Sequence, residues 1–171
     1  MIDVIQSNIF EVKVDAIVNP ANVTLLAGGG LCGAIHKMAG GELEQLCKSI
    51  GKQEYGNAVI TPSFALTNCD SIIHACGPRW LDGKRNEVEL LANTHKSIIE
   101  VAKQHGLKSL AIPAISTGIY RFPADIAAKV AISTVAKEIY DLAFEVTFVI
   151  PEPAKYKIYK KAVEEVDEIK Q

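Results

Sequence analysis

The sequence has no apolar run long enough to cross a bilayer, which takes about 20 residues. Its start, Met1-Ile2-Asp3-Val4-Ile5, lacks the basic stretch and apolar core of a secretory leader. No pair among Cys32, Cys47, Cys69 and Cys76 has CxxC spacing, and Cys69 and Cys76 stand too far apart for a zinc knuckle. These absences predict a soluble, cytoplasmic protein with free thiols, no membrane association and no metal site. A basic excess is missing too: 18 Lys and Arg stand against 20 Asp and Glu, for a net charge of −2. Gripping nucleic acid through a cationic surface needs a Lys/Arg surplus, so no nucleic-acid partner is expected. A weakly acidic chain that binds a small anion must use backbone N–H groups and helix ends. Linkers, internal repeats and low-complexity segments are also missing. What remains is 171 residues, 49% apolar and 22% charged, which predicts one domain over residues 1–171 with a sizeable core.

Apolar runs of strand length alternate with segments of helical spacing. Strands are predicted at 2–6, 14–19, 58–61, 70–75, 109–112 and 145–150. Helices are predicted at 33–48, with a break at Gly40-Gly41, and at 86–105, 123–142 and 153–169. In the first helix Ala34, Ile35, Met38, Leu43, Leu46 and Cys47 share a face. In the second, Val88, Leu91, His95, Ile98, Val101 and Ala102 do. Residues 79–85 form a polar surface loop. The central strands are apolar on both faces, so the pattern predicts an α/β fold with a mostly parallel sheet covered by helices on both sides.

Two loops stand out. Asn19-Pro20-Ala21-Asn22 runs through Gly28-Gly29-Gly30 into the first helix, and Ser116-Thr117-Gly118-Ile119-Tyr120 follows the fifth strand. Strand, glycine loop and helix start together suit an anion: glycine lets the backbone come close, and the helix start offers unpaired N–H groups. A lone glycine loop is a weak signal, and the second loop strengthens it. Ligands of such sheets bind beyond the carboxyl ends of the strands. The two loops act together only if strands 14–19 and 109–112 are neighbours, which the sequence leaves open.

Val18-Asn19-Pro20-Ala21-Asn22 followed by Gly28-Gly29-Gly30-Leu31-Cys32-Gly33-Ala34-Ile35-His36-Lys37-Met38-Ala39-Gly40 resembles the first signature of macrodomains of the MacroD-like branch. Ile73-His74-Ala75-Cys76-Gly77-Pro78 resembles their internal motif, and the run from Ile112 to Pro123 resembles their second signature. The motifs come in the family's order, and the likeness covers essentially the whole chain. The resemblance implies a single macrodomain: a three-layer α/β/α sandwich with a mixed, mostly parallel sheet of about six strands and an ADP-ribose cleft. It implies no cofactor. The implied partners are ADP-ribose, ADP-ribosylated protein and O-acetyl-ADP-ribose. The implied activity is removal of ADP-ribose from acidic side chains or of acetyl from O-acetyl-ADP-ribose; the alternative is a reader that binds without turnover.

By the same resemblance Asn22 contacts the distal ribose, Cys32 stands where the family has a water-orienting Asp, and His36 assists that water. Ala21, Gly28, Gly29, Gly30, Leu31 and Gly33 line the ribose and pyrophosphate. Ser116, Thr117, Gly118, Ile119 and Tyr120 cradle the phosphates from the other side, while Asn8 and Ile9 face the adenine. Cys32 is the main departure. A neutral thiol with a reference pKa of about 8.5 is no carboxylate base, although a helix start can lower a thiol pKa. A redox switch at Cys32 is a third reading. Asn19 is expected to tie down the loop backbone, His74 to be structural and Phe122 to pack. At the adenine end Asn8 replaces the usual Asp, and Pro151-Glu152-Pro153 stands where many members carry an aromatic, so weaker or altered adenine selectivity is expected.

Overall fold

The computed structural model describes residues 1–140 and 142–170, with side chains as far as Glu168. Six strands form one sheet: β1 (Ile2–Ile5), β2 (Ala16–Pro20), β3 (Ala58–Pro62), β4 (Ser71–Ala75), β5 (Ser109–Ile112) and β6 (Glu145–Val149). Their order is β1-β6-β5-β2-β4-β3, and all neighbours are parallel except β3 and β4. The helices are α1 (Gly30–Ala39), α2 (Gly41–Ile50), α3 (Glu87–Gln104), α4 (Ala124–Glu138) and α5 (Pro153–Lys170).

Helices α1 and α2 cover one face of the sheet, packing Ile35, Leu43 and Cys47 on Ile17, Ile72 and Ala111. Helices α3, α4 and α5 cover the other, with Leu91, Ile132 and Tyr159 on Val18, Ile73 and Phe148. This is the three-layer sandwich that the resemblance implies. Strand β2 shows why the centre reads as a continuous apolar run: Ala16, Ile17 and Val18 are fully buried, with alternate side chains serving opposite layers.

Proline punctuates the carboxyl end of each inner parallel strand, at Pro20, Pro78, Pro113 and Pro151. It donates no ladder hydrogen bond and turns the chain out of the sheet there. Pro62 ends β3, an edge strand that pairs only with β4, where the missing donor costs nothing.

Some boundaries differ from the sequence expectation. The predicted helix 33–48 is two helices hinged at Gly40 (φ 97°), and α1 starts three residues earlier, at Gly30. The fourth helix ends at Glu138 rather than Leu142, with Ile139 capping it; Asp141, inside the expected span, lies outside the described residues. A 3-10 turn at Ile9–Glu11 had no periodic signal, being only three residues long. Met38 is 53% exposed and Val88 43%, so neither belongs to the buried face its spacing suggested.

Candidate functional site

Strands β2 and β5 are direct neighbours, Ala16 beside Leu110 and Ile17 beside Ala111. Their loops therefore emerge side by side, which answers the question that spacing left open. Between them lies a cavity of about 560 Å³ beyond the carboxyl ends of β2, β5 and β6, a size usual for a small-molecule site. Asn8, Ile9, Ala21, Asn22, Gly28, Gly29, Gly30, Leu31, Cys32, Ser116, Thr117, Gly118, Ile119 and Tyr120 line it. Gly33 and His36 do not; they border a smaller hollow of about 290 Å³ with Ala27 and Glu44.

The strand order fixes the direction of the cleft. Asn22 and Cys32 sit past β2, the Ser116–Tyr120 loop past β5, and Glu152 and Lys155 past β6. At about 4.8 Å per strand, the ends past β2 and past β6 stand roughly 10 Å apart. Such a cleft suits an elongated ligand with an anionic middle.

Both loops present free donors. The N–H groups of Gly29, Gly30 and Leu31 at the start of α1, and those of Gly118, Ile119 and Tyr120, have no partner among the described residues. Ser116 Oγ, in a residue 7% exposed, is also without a partner. Gly33 lies outside the lining yet is required: a Cβ there would collide with the Gly28 carbonyl, so α1 presses directly on the glycine loop.

Asn22 first shapes its own turn. Its Oδ1 accepts from Thr24 N and Thr24 Oγ1, and its Nδ2 donates to Leu26 O at 2.9 Å. One N–H of the amide remains for a ligand. Cys32 is 6% exposed in the first turn of α1, with Sγ 3.8 Å from Leu26 O. Burial pushes its thiol up, against the opposing hydrogen bonds of the Asn19 side chain and the Gly28 and Asn22 backbone. The helix start does not produce a thiolate here.

His36 is 6% exposed, and neither ring nitrogen has a partner among the described residues. Burial pushes its pKa down, with Glu44 opposing. It faces His74, ring centroids 6.2 Å apart. His74 is fully buried and is pushed down to about 3 by burial and by His36. Asn19 Nδ2 meets His74 Nδ1 at 3.0 Å, so Asn19 ties down an imidazole and not the loop backbone. Thr61 Oγ1 meets His74 Nε2 at 2.9 Å. His36, Cys47 and His74 bring their polar atoms within 4.8 Å of one another, but both nitrogens of His74 are engaged, leaving no lone pair for a metal.

Sequence reasoning missed Gly77 and Lys155. Gly77 packs so closely on Ser116 that a Cβ would strike its hydroxyl. Lys155, in the first turn of α5, reaches Thr117 O at 3.5 Å and is the one cation among the lining residues. Its only sequence signal was membership of a Lys-rich helix. At the far end Asn8 caps the 3-10 turn through Oδ1, accepting from Phe10 N at 3.0 Å, and Phe10 joins the lining.

A sequence profile of the Macro domain matches residues 18–131. The chain is 42% identical over 166 residues to an O-acetyl-ADP-ribose deacetylase of Salmonella gallinarum, covering 94% of this chain and 92% of that one. It is 40% identical over 166 residues to a protein of the same name from Escherichia fergusonii, covering 94% and 93%. The structure superposes on the Oceanobacillus iheyensis macrodomain with ADP at TM-score 0.91 and 33% identity, covering 97% of this chain and 91% of that one. The Trypanosoma brucei macrodomain in complex with ADP-ribose matches at TM-score 0.86 and 29% identity, covering 95% and 68%. With its profile match, its relatives and its three-layer fold in agreement, the chain belongs to the Macro domain family.

Proposed function

We propose that this protein binds ADP-ribose along the cleft and hydrolyses ADP-ribosyl esters, O-acetyl-ADP-ribose or mono-ADP-ribosyl Asp and Glu on proteins. The observation that carries the reading is the pair of adjacent loops with unpaired N–H groups at the middle of an elongated cleft. The diphosphate lies between the loops, held by backbone donors and the Ser116 hydroxyl, with Lys155 adding a positive charge. The distal ribose lies past β2, where Asn22 donates its remaining N–H. The adenine lies past β6, against Phe10 and Pro151. Relatives named O-acetyl-ADP-ribose deacetylase and macrodomains solved with ADP and ADP-ribose support the same ligand.

For the acetyl ester, water adds to the carbonyl carbon and the tetrahedral oxyanion then expels the ribose oxygen, giving acetate and ADP-ribose. Among the described residues no carboxylate lines the cleft past β2; Glu152, the one acidic residue of that lining, stands past β6. The buried Cys32 thiol stays protonated at neutral pH and takes no proton from water. The proton acceptor in this reading is the ligand's own phosphate, which returns the proton to the departing ribose oxygen. The Gly28–Gly30 backbone places the water and faces the developing oxyanion.

The protonated thiol also favours a second reading, a reader that binds without turnover. Incubation with O-acetyl-ADP-ribose, and with protein ADP-ribosylated on acidic side chains, separates the two. Release of acetate or ADP-ribose is expected. Binding by calorimetry with no release over hours leaves the reader.

A further inference from the structure

We propose that Glu87 is a remote positioning residue for the Ser116–Tyr120 loop, acting through residues 79–86; this rests on the ligand-binding role given to that loop above. Glu87 opens α3 and is 2% exposed, yet its carboxylate does not cap its own helix. It reaches back to the preceding segment. Oε2 accepts from Leu81 N at 2.9 Å, Asp82 N at 3.1 Å and Gly83 N at 2.9 Å, and Oε1 accepts from Arg85 N at 2.6 Å. Burial opposes the charged form, but these four N–H groups outweigh it and hold the carboxyl down to about 2. Beyond Trp80, the segment's other internal tie is Lys84 N donating to Asp82 Oδ1 at 2.8 Å, at an exposed turn. Leu81 is 65% exposed, Asp82, Lys84 and Arg85 face solvent, and the Arg85–Asp82 pair at 3.6 Å is solvated.

That segment grips the second loop at its cleft residue, Tyr120. Trp80 N donates to Tyr120 O at 2.9 Å, and the Arg79 guanidinium lies 5.1 Å from the centre of the Tyr120 ring. The Trp80 ring packs on the buried Phe122, centroids 4.9 Å apart. The loop needs outside support. Ser116 (φ 67°) and Arg121 (φ 61°), at its two ends, are non-glycine residues in the left-handed region, which persists when the surroundings over-determine it. The carboxylate therefore shapes the 79–86 segment, and the segment holds Tyr120 with the free N–H groups beside it.

The test uses Glu87→Gln, which keeps the shape and one acceptor oxygen, and Gly83→Ala. A Cβ at Gly83, whose φ is 77°, would meet the Trp80 ring at 2.9 Å, so this variant disturbs the same linkage from the Trp80 side while the Glu87 carboxylate and every cleft residue keep their identity. Two readouts apply: ADP-ribose affinity by calorimetry, and amide hydrogen exchange of the free protein. Both variants are expected to weaken affinity about tenfold. Exchange is expected to speed up at the hydrogen-bonded amides of Trp80, Arg121 and Phe122 while β2 and β5 keep wild-type protection. A variant that melts earlier but keeps wild-type affinity and wild-type exchange at Trp80, Arg121 and Phe122 overturns the proposal and leaves Glu87 purely structural. If Glu87→Gln does not fold, Gly83→Ala decides by the same two readouts. If the wild type fails to bind ADP-ribose, the functional reading falls, and unchanged or accelerated exchange still decides the linkage.

Discussion

Position 32 sets the chemistry at the residue scale. Desolvation dominates the environment of the Cys32 thiol and keeps it protonated, so a role as base or nucleophile has no support at neutral pH. Cys32→Ala is accordingly expected to keep ester hydrolysis within about threefold of wild type, while Cys32→Asp, which installs a base, raises it about tenfold or more. Steady-state acetate release measures both, and a dead Cys32→Ala enzyme would restore the thiol to the mechanism. Thiol alkylation at pH 7.5 is expected to be no faster at Cys32 than at Cys47, both being buried; a faster Cys32 would revive the redox reading. Asn22 commits most of its amide to the loop, and its remaining N–H is the donor proposed for the ligand. Asn22→Asp keeps the Oδ1 contacts from Thr24 but loses both amide donors, the one to Leu26 O and the free one, whereas Asn22→Ala removes all of them. Turnover is expected to fall about 100-fold in both, and both are expected to lower the melting temperature, since each loses the bond to Leu26 O.

Close approach between elements decides whether the cleft forms. Helix α1 rests on the Gly28 carbonyl through Gly33, so Gly33→Ala is expected to displace the glycine loop and weaken ADP-ribose binding at least about tenfold. Wild-type affinity in that variant would show that the loop yields freely. The sheet–helix layers also carry an acid-sensitive device in His74 and His95. Burial holds their folded pKa values down to about 3 and about 4, with the Leu91 carbonyl opposing at His95. Both are neutral when folded, and both take a proton in the unfolded chain below about pH 6.5. The unfolded state therefore binds more protons, and stability falls as pH drops from about 6.5 toward the folded pKa values. The slope approaches 1.4 kcal/mol per pH unit for each histidine, at most about 1.4. Urea midpoints between pH 7 and pH 4 measure it, and His95→Gln is expected to flatten it. Helix spacing predicted the buried face of α3 but not that His95 would lie on it as a neutral group, because periodicity reports which face is covered and not what the covering does to a charge.

For the whole molecule, ligand binding and stability are linked. At 100 times its Kd, ADP-ribose is expected to add about 2.7 kcal/mol, which raises the melting temperature by roughly 5–10 °C in a domain of this size. No shift would count against the cleft as its site. The far end should be less discriminating: the uncharged Asn8 spends one lone pair on Phe10 N, and Pro151 is not aromatic, which leaves stacking on adenine to Phe10. Affinity for ADP-ribose is expected to exceed that for ribose 5-phosphate only modestly, and sub-micromolar binding with strong preference would overturn this.

The chain's own letters settled the periodicities, the proline stops past the strands, the two glycine loops and the family motifs. These are local properties that a strand, a turn or a helix start requires of residues adjacent in sequence. Folding decided what local pattern cannot carry. The pairing of β2 with β5 joined loops about 90 residues apart into one cleft, and the position of β6 brought Lys155 to the second loop. The packing of α1 turned His36 away from the cleft and buried the Cys32 thiol. Those outcomes depend on strand order and on which groups lose water, and both are set by contacts between residues far apart in the chain.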